Sequence, residues 1–311
     1  GGARLALLNG NLYATSGQLM GDPSSVPTAN TVAVVKIEDE QVSEVANTWN
    51  LESSQNPDGF IYDSHPYGLG AGPDGYLWVT DAAANDLLKI DPASGEIEVV
   101  AVFEGLAGPL PNPNRGGAME SDPVPTGITF DQGGTIYVSF LAGFPFLPGS
   151  AKVVQVSPDG QVSDYATGLT MLTDLRSAPD GNMYAVQFGE FTEQGPTPNS
   201  GKIIRVAPGD ASEEVLTGLS FPTSIDFNAN GDAYVTINGV GAPGSGEVVM
   251  FPGLAAAAGS TQEAPATLPT SGGDLSSSEW IPVGLLLLGL MLVGSGFLLQ
   301  SIPGFSRRHN R

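Results

Sequence analysis

A tight turn followed by alternating apolar and polar positions recurs five times along the chain. The clearest copy runs from residue 71 to residue 81, and its turn is anchored by a glycine, Gly75. The equivalent anchors are spaced by 65, 59, 47 and 50 residues, and an aromatic stands three positions after each: Tyr13, Trp78, Tyr137, Tyr184 and Tyr234. Period-two alternation predicts strands. A strand repeat of this length, with variable insertions, is typical of a β-propeller.

Four strands are predicted in most of the repeat units. The full units place them at 3–8, 12–15, 32–37 and 42–46; 67–72, 76–81, 87–90 and 97–102; 127–130, 136–140, 152–156 and 162–166; and 174–177, 183–187, 202–206 and 213–216. The fifth unit has only 224–227, 233–237 and 247–251. The fold class is therefore all-β, with about five four-stranded antiparallel blades in residues 1–252. Because an open blade edge exposes unpaired backbone groups, we expect an upstream extension with a secretion signal, the closing strand and a further blade.

The long connections are predicted to gather on one face of the disc. Turns from the first to the second strand and from the third to the fourth are short, whereas the other connections hold the long segments 17–30, 47–65, 104–123, 140–150, 188–200 and 238–246. Long loops on one face of a rigid scaffold often carry binding. Neutral drift of surface loops is the alternative.

The C-terminal part differs in composition from the repeats. Residues 253–279 form a spacer rich in Ala, Ser, Thr and Pro. Residues 281–299 are 19 positions without a charge and predict a transmembrane helix over 280–303, and the basic residues of 304–311 predict a cytoplasmic tail. These features place the propeller on the extracellular face of a membrane or cell wall.

A pentapeptide in the spacer resembles a bacterial sortase signal of the LPxTG type, with serine in place of the usual threonine: Leu268, Pro269, Thr270, Ser271 and Gly272. By this resemblance a sortase would cut between Ser271 and Gly272. An ordinary spacer before a permanent anchor is the alternative. The mass of the native C-terminus distinguishes the two, because cleavage removes the residues that follow Ser271.

Composition narrows the chemistry. The chain has no cysteine, which excludes disulfides and thiolate chemistry, and two histidines, which leaves little material for general-base catalysis. Residues 1–252 carry 30 acidic against 8 basic side chains within a net charge of −22. Nucleic acid is therefore excluded as a partner, because no basic patch offsets phosphate charge.

The rim of the central channel is predicted where first strands begin and second strands end. The candidate ligand-binding residues there are His65, Tyr67, Asp81, Thr126, Thr173, Asp174, Thr223 and Asn238. Converging acidic and amide oxygens could hold Ca²⁺ or another divalent cation. Alternatively, the threonines and short acids satisfy backbone groups at strand ends. No catalytic residue is assigned.

Several motifs together resemble the ScyD/ScyE family of secreted propellers, which is akin to the NHL and lactonase-like six-bladed propellers. They are Asn56-Pro57-Asp58-Gly59, Ser64-His65-Pro66-Tyr67-Gly68-Leu69, Val124-Pro125-Thr126-Gly127, Gly143-Phe144-Pro145-Phe146 and the Pro-Asp-Gly turns. The likeness spans residues 1–252. It implies a six-bladed propeller and transfers no catalytic residues.

Two functional hypotheses follow from the sequence. The first is a cell-surface binding or scaffold module that takes a small molecule, glycan or protein on its long-loop face. The second is a metal-assisted lactone or ester hydrolase with channel carboxylates around a divalent ion.

Overall fold

Five antiparallel sheets follow one another along residues 2–256, the part of the chain that the computed structural model describes. Blade 1 comprises Gly2–Leu8, Asn11–Ser16, Ala33–Glu38 and Gln41–Asn47; blade 2 comprises Pro66–Ala71, Leu77–Asp81, Asp86–Ile90 and Ile97–Val102; and blade 3 comprises Pro125–Phe130, Ile136–Phe140, Ala151–Val156 and Val162–Leu169. Blade 4 comprises Leu172–Ser177, Met183–Gln187, Gly201–Val206 and Glu213–Leu219, and blade 5 comprises Ser224–Phe227, Ala233–Ile237 and Glu247–Phe251. The predicted β-propeller with a three-stranded last blade is thus confirmed. The sixth blade implied by the family resemblance is not among the described residues.

The remaining elements lie in the long segments between strands. Three two-stranded sheets pair Leu19–Met20 with Asp63–Ser64, Leu106–Asn112 with Ala118–Ser121, and Phe191–Thr192 with Gly195–Pro196. A 3₁₀ turn spans Pro113–Arg115, and one α-helix, α1, spans Thr48–Gln55. The sequence predicts α1 only as loop, which is wrong. The helix has no apolar stripe, and it is set by its ends, where Asn47 accepts a hydrogen bond from the Asn50 N–H and Asn56 has a left-handed φ of 43°.

The repeated turn glycines share one backbone conformation. The φ angles of Gly10, Gly75, Gly134, Gly181 and Gly231 lie between 79° and 85°, a region that residues with a Cβ rarely adopt. Two of the aromatics that follow these glycines pack on the next blade, Trp78 against Phe130 at 6.1 Å and Tyr184 against Phe227 at 5.1 Å. Tyr137 instead packs on Tyr165 of its own blade at 4.8 Å. The repeat motif therefore contributes to two of the junctions between blades.

The first strands of the blades stand side by side around the axis, and glycines allow their close approach. A Cβ at Gly127 of blade 3 would lie 2.1 Å from the backbone nitrogen of Leu175 in blade 4. The Thr126 hydroxyl donates across the same junction to the Leu172 carbonyl at 2.9 Å. Backbone contact between neighbouring first strands leaves a narrow channel.

We expect Gly127→Ala to lower the free energy of unfolding by about 1–3 kcal/mol, because the added methyl group must displace the backbone of blade 4. Urea denaturation measures the change. Gly246→Ala is the matched control, since nothing lies within 4 Å of a Cβ at that position. Equal stabilities of the two variants would show that the blades separate without cost.

The predicted spacer beyond residue 256, sortase motif, transmembrane helix 280–303 and basic tail lie outside the described residues. Within residues 2–256, no helix combines the length and apolar character needed to cross a membrane.

Candidate functional site

Apolar side chains close the channel at the long-loop end. Val124, Met171 and Phe221 each precede the first strand of a blade and have left-handed φ angles of 50°, 44° and 46°. They cluster with Tyr67, Phe146 and other rings. The Val124 and Met171 carbonyls accept hydrogen bonds from the N–H groups that follow the second strands, both at 2.9 Å. A left-handed backbone at a residue with a large side chain is strained, and it persists at equivalent positions of three blades only because the surrounding packing holds it.

Arg4 occupies the channel beneath this apolar cluster. Its guanidinium reaches from blade 1 across the axis and donates to the Thr173 and Thr223 carbonyls, the latter at 2.7 Å. It also lies over the Tyr67 ring, 4.6 Å from the centroid. Burial by itself lowers the pKa of Arg4, but the nearby Asp174 and Tyr67 favour the charged form, and the pKa is raised overall. Arg4 therefore links four blades as a permanent cation.

Asp174 lies between two arginines. Its Oδ1 atom is 3.5 Å from Arg4 Nε and 3.7 Å from Arg176 Nε. The backbone N–H groups of Leu175 and Ile225 donate to the same carboxylate at 2.9 and 3.2 Å. Arg176 in turn donates to the Leu69 carbonyl of blade 2 at 3.4 Å. We call Arg4, Asp174 and Arg176 the axial ion group.

A cavity of about 430 Å³ adjoins the axial ion group between blade 5 and blade 1, the position that the further blade expected from the sequence would take. Its volume falls within the range of small-molecule sites, roughly 300–1,000 Å³. The polar part of its wall combines the axial ion group with Ser224 and Asp226, and the apolar part consists of Leu5, Ala14 and Ile225. Fixed charges beside apolar walls suit a small ligand that carries a carbonyl or carboxylate group.

The structure brings together only part of the predicted rim. Tyr67, Thr173, Asp174 and Thr223 all contact Arg4. His65 packs edge-on against Tyr67 at 5.5 Å, and burial lowers its pKa to about 4. These residues form one buried group with Arg4 at its centre.

The other predicted residues make hydrogen bonds with nearby strands and turns. The Thr126 hydroxyl contacts Ser139 and the Leu172 carbonyl. Asp81 accepts hydrogen bonds from the Ser64 hydroxyl and the His65 N–H at 2.5 and 2.6 Å. The Asn238 amide donates to the Ser245 carbonyl within its loop. Short polar side chains at strand ends here satisfy backbone groups.

A divalent cation does not fit the channel. Arg4 holds the carbonyl oxygens that a hard cation would use, and its positive charge repels another cation. Among residues 2–256, no three His, Cys, Asp or Glu side chains are grouped so as to hold a metal ion. The suggestion of Ca²⁺ at the channel rim is therefore replaced by an internal guanidinium.

Sequence reasoning missed Arg4 and Arg176. Both stand in first strands, and Arg4 has apolar neighbours on both sides, whereas basic residues of other strands, such as Lys36 and Lys202, form exposed pairs. A charge inside an apolar strand could have indicated a buried pair, because such charges need partners. The spacing of the residues does not indicate which blade supplies the partner.

The fold and site define a β-propeller whose channel is filled by an internal arginine and flanked by a cavity of ligand size. The chain belongs to the family described as the SMP-30/Gluconolactonase/LRE-like region, whose model matches residues 57–241. No curated protein matches its sequence significantly.

Several solved structures are similar to this chain at low sequence identity. A putative gluconolactonase is 14% identical with a TM-score of 0.51, over 82% of this chain and 75% of the other. A gluconolactonase from Xanthomonas campestris is 13% identical with a TM-score of 0.48, over 81% and 79%. The virginiamycin B lyase from Staphylococcus aureus is 16% identical with a TM-score of 0.47, over 81% and 69%.

Proposed function

We propose that this chain opens lactone or related ester rings in the cavity beside Arg176. The observation that carries the proposal is the fixed Arg176 guanidinium on the wall of a cavity of about 430 Å³ that also presents Asp226. The chain belongs to a family whose description includes gluconolactonase, and this supports a lactone as the substrate. The proposal requires no metal in the channel.

Each group has a role that follows from its position. Asp174 and the Leu69 carbonyl orient Arg176, whose N–H groups would stabilise the negative charge that develops on the ring carbonyl oxygen. Asp226 would accept a proton from the attacking water, and the ring C–O bond would break as its oxygen takes up that proton. Lactone and water thereby give one hydroxy acid. Leu5 and Ile225 would contact the ring carbons.

We expect the protein to hydrolyse a six-membered sugar lactone or an aryl ester, and Arg176→Met to lower kcat/KM about a hundredfold, because one oxyanion donor is lost. A pH-stat assay follows the acid released. Asp226→Asn should lower kcat with little change in KM. Arg205→Met, which removes an exposed partner of Glu213, is the control that retains activity.

The outcomes separate this proposal from its alternatives. Absence of turnover by folded protein with either substrate contradicts it, and so does full activity of Arg176→Met. A hydroxy acid or lactone that binds without turnover, and binds less tightly to Arg176→Met, would instead identify the cavity as a binding site.

A binding module on the long-loop face is the second candidate. It is favoured by the loop over the channel mouth. In this loop the side chains of Phe144 and Leu147 are 41% and 39% exposed, and they stand beside the buried Phe146. Exposed apolar side chains on a rigid loop can contact a glycan or a protein. This role at the cell surface predicts that Phe144→Ser weakens the capture of cell-wall glycan by the full chain; unchanged capture contradicts it.

A further inference from the structure

Helix α1 and the residues that follow it connect the outer strand of blade 1 to the first strand of blade 2. We call this segment, residues 48–64, the α1 strap. Two polar contacts join it to blade 2: the Ser64 hydroxyl donates to Asp81 at 2.5 Å, and the Asn85 amide donates to Asp58 at 3.5 Å. The strap is therefore docked on the end of blade 2 that carries the long loops.

Acidic side chains meet where the strap contacts blade 2. Three belong to the strap and two to paired strands of the blade, and they act on one another electrostatically: Glu52, Asp58, Asp63, Asp81 and Asp86. All but Asp58 are at most 3% exposed. Asp81 and Asp86 lie directly opposite each other, where like charges repel. These five carboxyl groups therefore cannot all be ionised while the strap is docked.

Positive charge does not balance these acids. Arg115, on the hairpin between blades 2 and 3, forms ion pairs with Glu120 and Asp122 at 2.7 and 3.6 Å. Helix α1 also contacts the third strand of blade 1, whose charged residues Lys36 and Glu38 pair with each other at 2.8 Å. Because an unpaired buried charge is unfavourable, buried acids of the strap must hold their protons for the strap to stay docked.

Two acids of the strap hold their protons at neutral pH. Burial, reinforced by Asp81 and Asp58, raises the pKa of Glu52 to about 8, although the Asp63 N–H donates to Glu52 and opposes this shift. Burial, reinforced by four neighbouring carboxylates that include Asp122, raises the pKa of Asp63 to about 10. Release of the strap into water would remove the burial that causes both shifts.

We propose that the α1 strap is a pH-dependent latch, which stays docked on blade 2 while Glu52 and Asp63 are protonated and is released when they ionise. Release would separate Asp63–Ser64 from Leu19–Met20, with which they pair. It would also loosen His65 and Tyr67, which follow the strap at the channel rim. The latch would thereby change access to the channel from the long-loop end, and it does not depend on ring opening in the cavity.

The docked strap binds protons more tightly than the released strap. Glu52 has its ordinary pKa of 4.5 when released and a pKa of about 8 when docked, and the pKa values of Asp63 are 3.8 and about 10. Docking is therefore strongest below the ordinary values and weakens as the pH rises. The contribution of Glu52 is lost by pH 8 and that of Asp63 by pH 10.

Amide hydrogen exchange of the full chain tests the latch, with each rate divided by its intrinsic rate at the same pH. Amides of α1 should lose protection about a hundredfold or more between pH 5 and pH 8, because the docked form releases its protons last. At pH 8 they should be at least tenfold less protected than amides of Ala151–Val156 in blade 3, since the strap opens without global unfolding.

Two isosteric variants test which groups hold the strap. Glu52→Gln should about halve the slope of log protection against pH, and Glu52→Gln with Asp63→Asn should remove most of it, because amides stay neutral at every pH. Both should fold, since each amide resembles the protonated acid it replaces. Asp159→Asn in an exposed turn should keep the wild-type slope.

Three results would overturn the latch. The first is equal protection of α1 and Ala151–Val156, because the strap would then open only on global unfolding. The second is unchanged protection of α1 between pH 5 and pH 8 in the wild type. The third is the wild-type slope in the double variant, which would assign the pH dependence to groups outside the strap.

Discussion

Replacing Arg4 with methionine is expected to lower the free energy of unfolding by about 3–5 kcal/mol, the cost of breaking a buried ion pair by removing one partner. The change removes Arg4 as an ion-pair partner of Asp174, whose side chain is only 1% exposed. It also leaves the Thr173 and Thr223 carbonyls without this donor. Urea denaturation monitored by tryptophan fluorescence measures the loss.

The control is Arg205→Met, because Arg205 pairs with Glu213 at the surface, where both side chains are largely solvated. We expect a change of at most about 1 kcal/mol there. The double variant Arg4→Met with Asp174→Leu should lose less stability than the two single variants lose in sum. Each single variant leaves one buried charge without its partner from this pair, whereas the double variant removes both charges of the pair. An additive result would refute a direct coupling between Arg4 and Asp174.

Acidification is expected to cost about 3 kcal/mol of stability through His65 alone. Burial lowers its pKa from 6.5 to about 4, and each unit corresponds to about 1.4 kcal/mol. Between these two pKa values the unfolded chain binds more protons at His65 than the folded chain. This stability is therefore fully present above pH 6.5 and is lost as the pH falls toward 4.

The His65→Gln variant isolates this contribution, because glutamine does not titrate. Urea unfolding at pH 7 and at pH 4 should show a stability difference between wild type and variant that shifts by about 3 kcal/mol in favour of the variant at pH 4. The carboxylates of the chain titrate in both proteins, and their contributions cancel in this comparison. Parallel pH profiles of the two proteins would mean that His65 is solvated in the native state.

Both expected effects involve residues near the axis, and the sequence predicts the positions of some of these residues but not of others. His65 and Asp174 can be placed at the rim by counting back from the turn glycines, because every blade repeats the same frame. Arg4 cannot be assigned to Asp174 in this way, since the two lie 170 positions apart and meet only when blades 1 and 4 face each other across the channel. The sequence can therefore predict residues of the channel rim, whereas the ion pairs of the axial ion group are known only from the structure.

Buried acids on blade 2 and in the segment before it show a second limit of sequence reasoning. Asp58 and Asp63 belong to a segment that reads as turn and loop, and Asp81 and Asp86 end strands, so each has an ordinary local explanation. Only the packing of α1 against Asp63–Ser64 and the Ala33–Glu38 strand buries Glu52 near them. Burial, not residue type, makes the group unusual.

The sequence by itself determined the blade unit: the turn glycine, the strand alternation, the aromatic three positions after the glycine and the three strands of blade 5 within the described residues. These follow from local backbone preferences and from period-two burial, which act over a few residues. The tertiary structure decided which polar residues meet. Closing the blades around an axis removes water from distant side chains at once, and the buried charges must then find partners, as Arg4 does with Asp174.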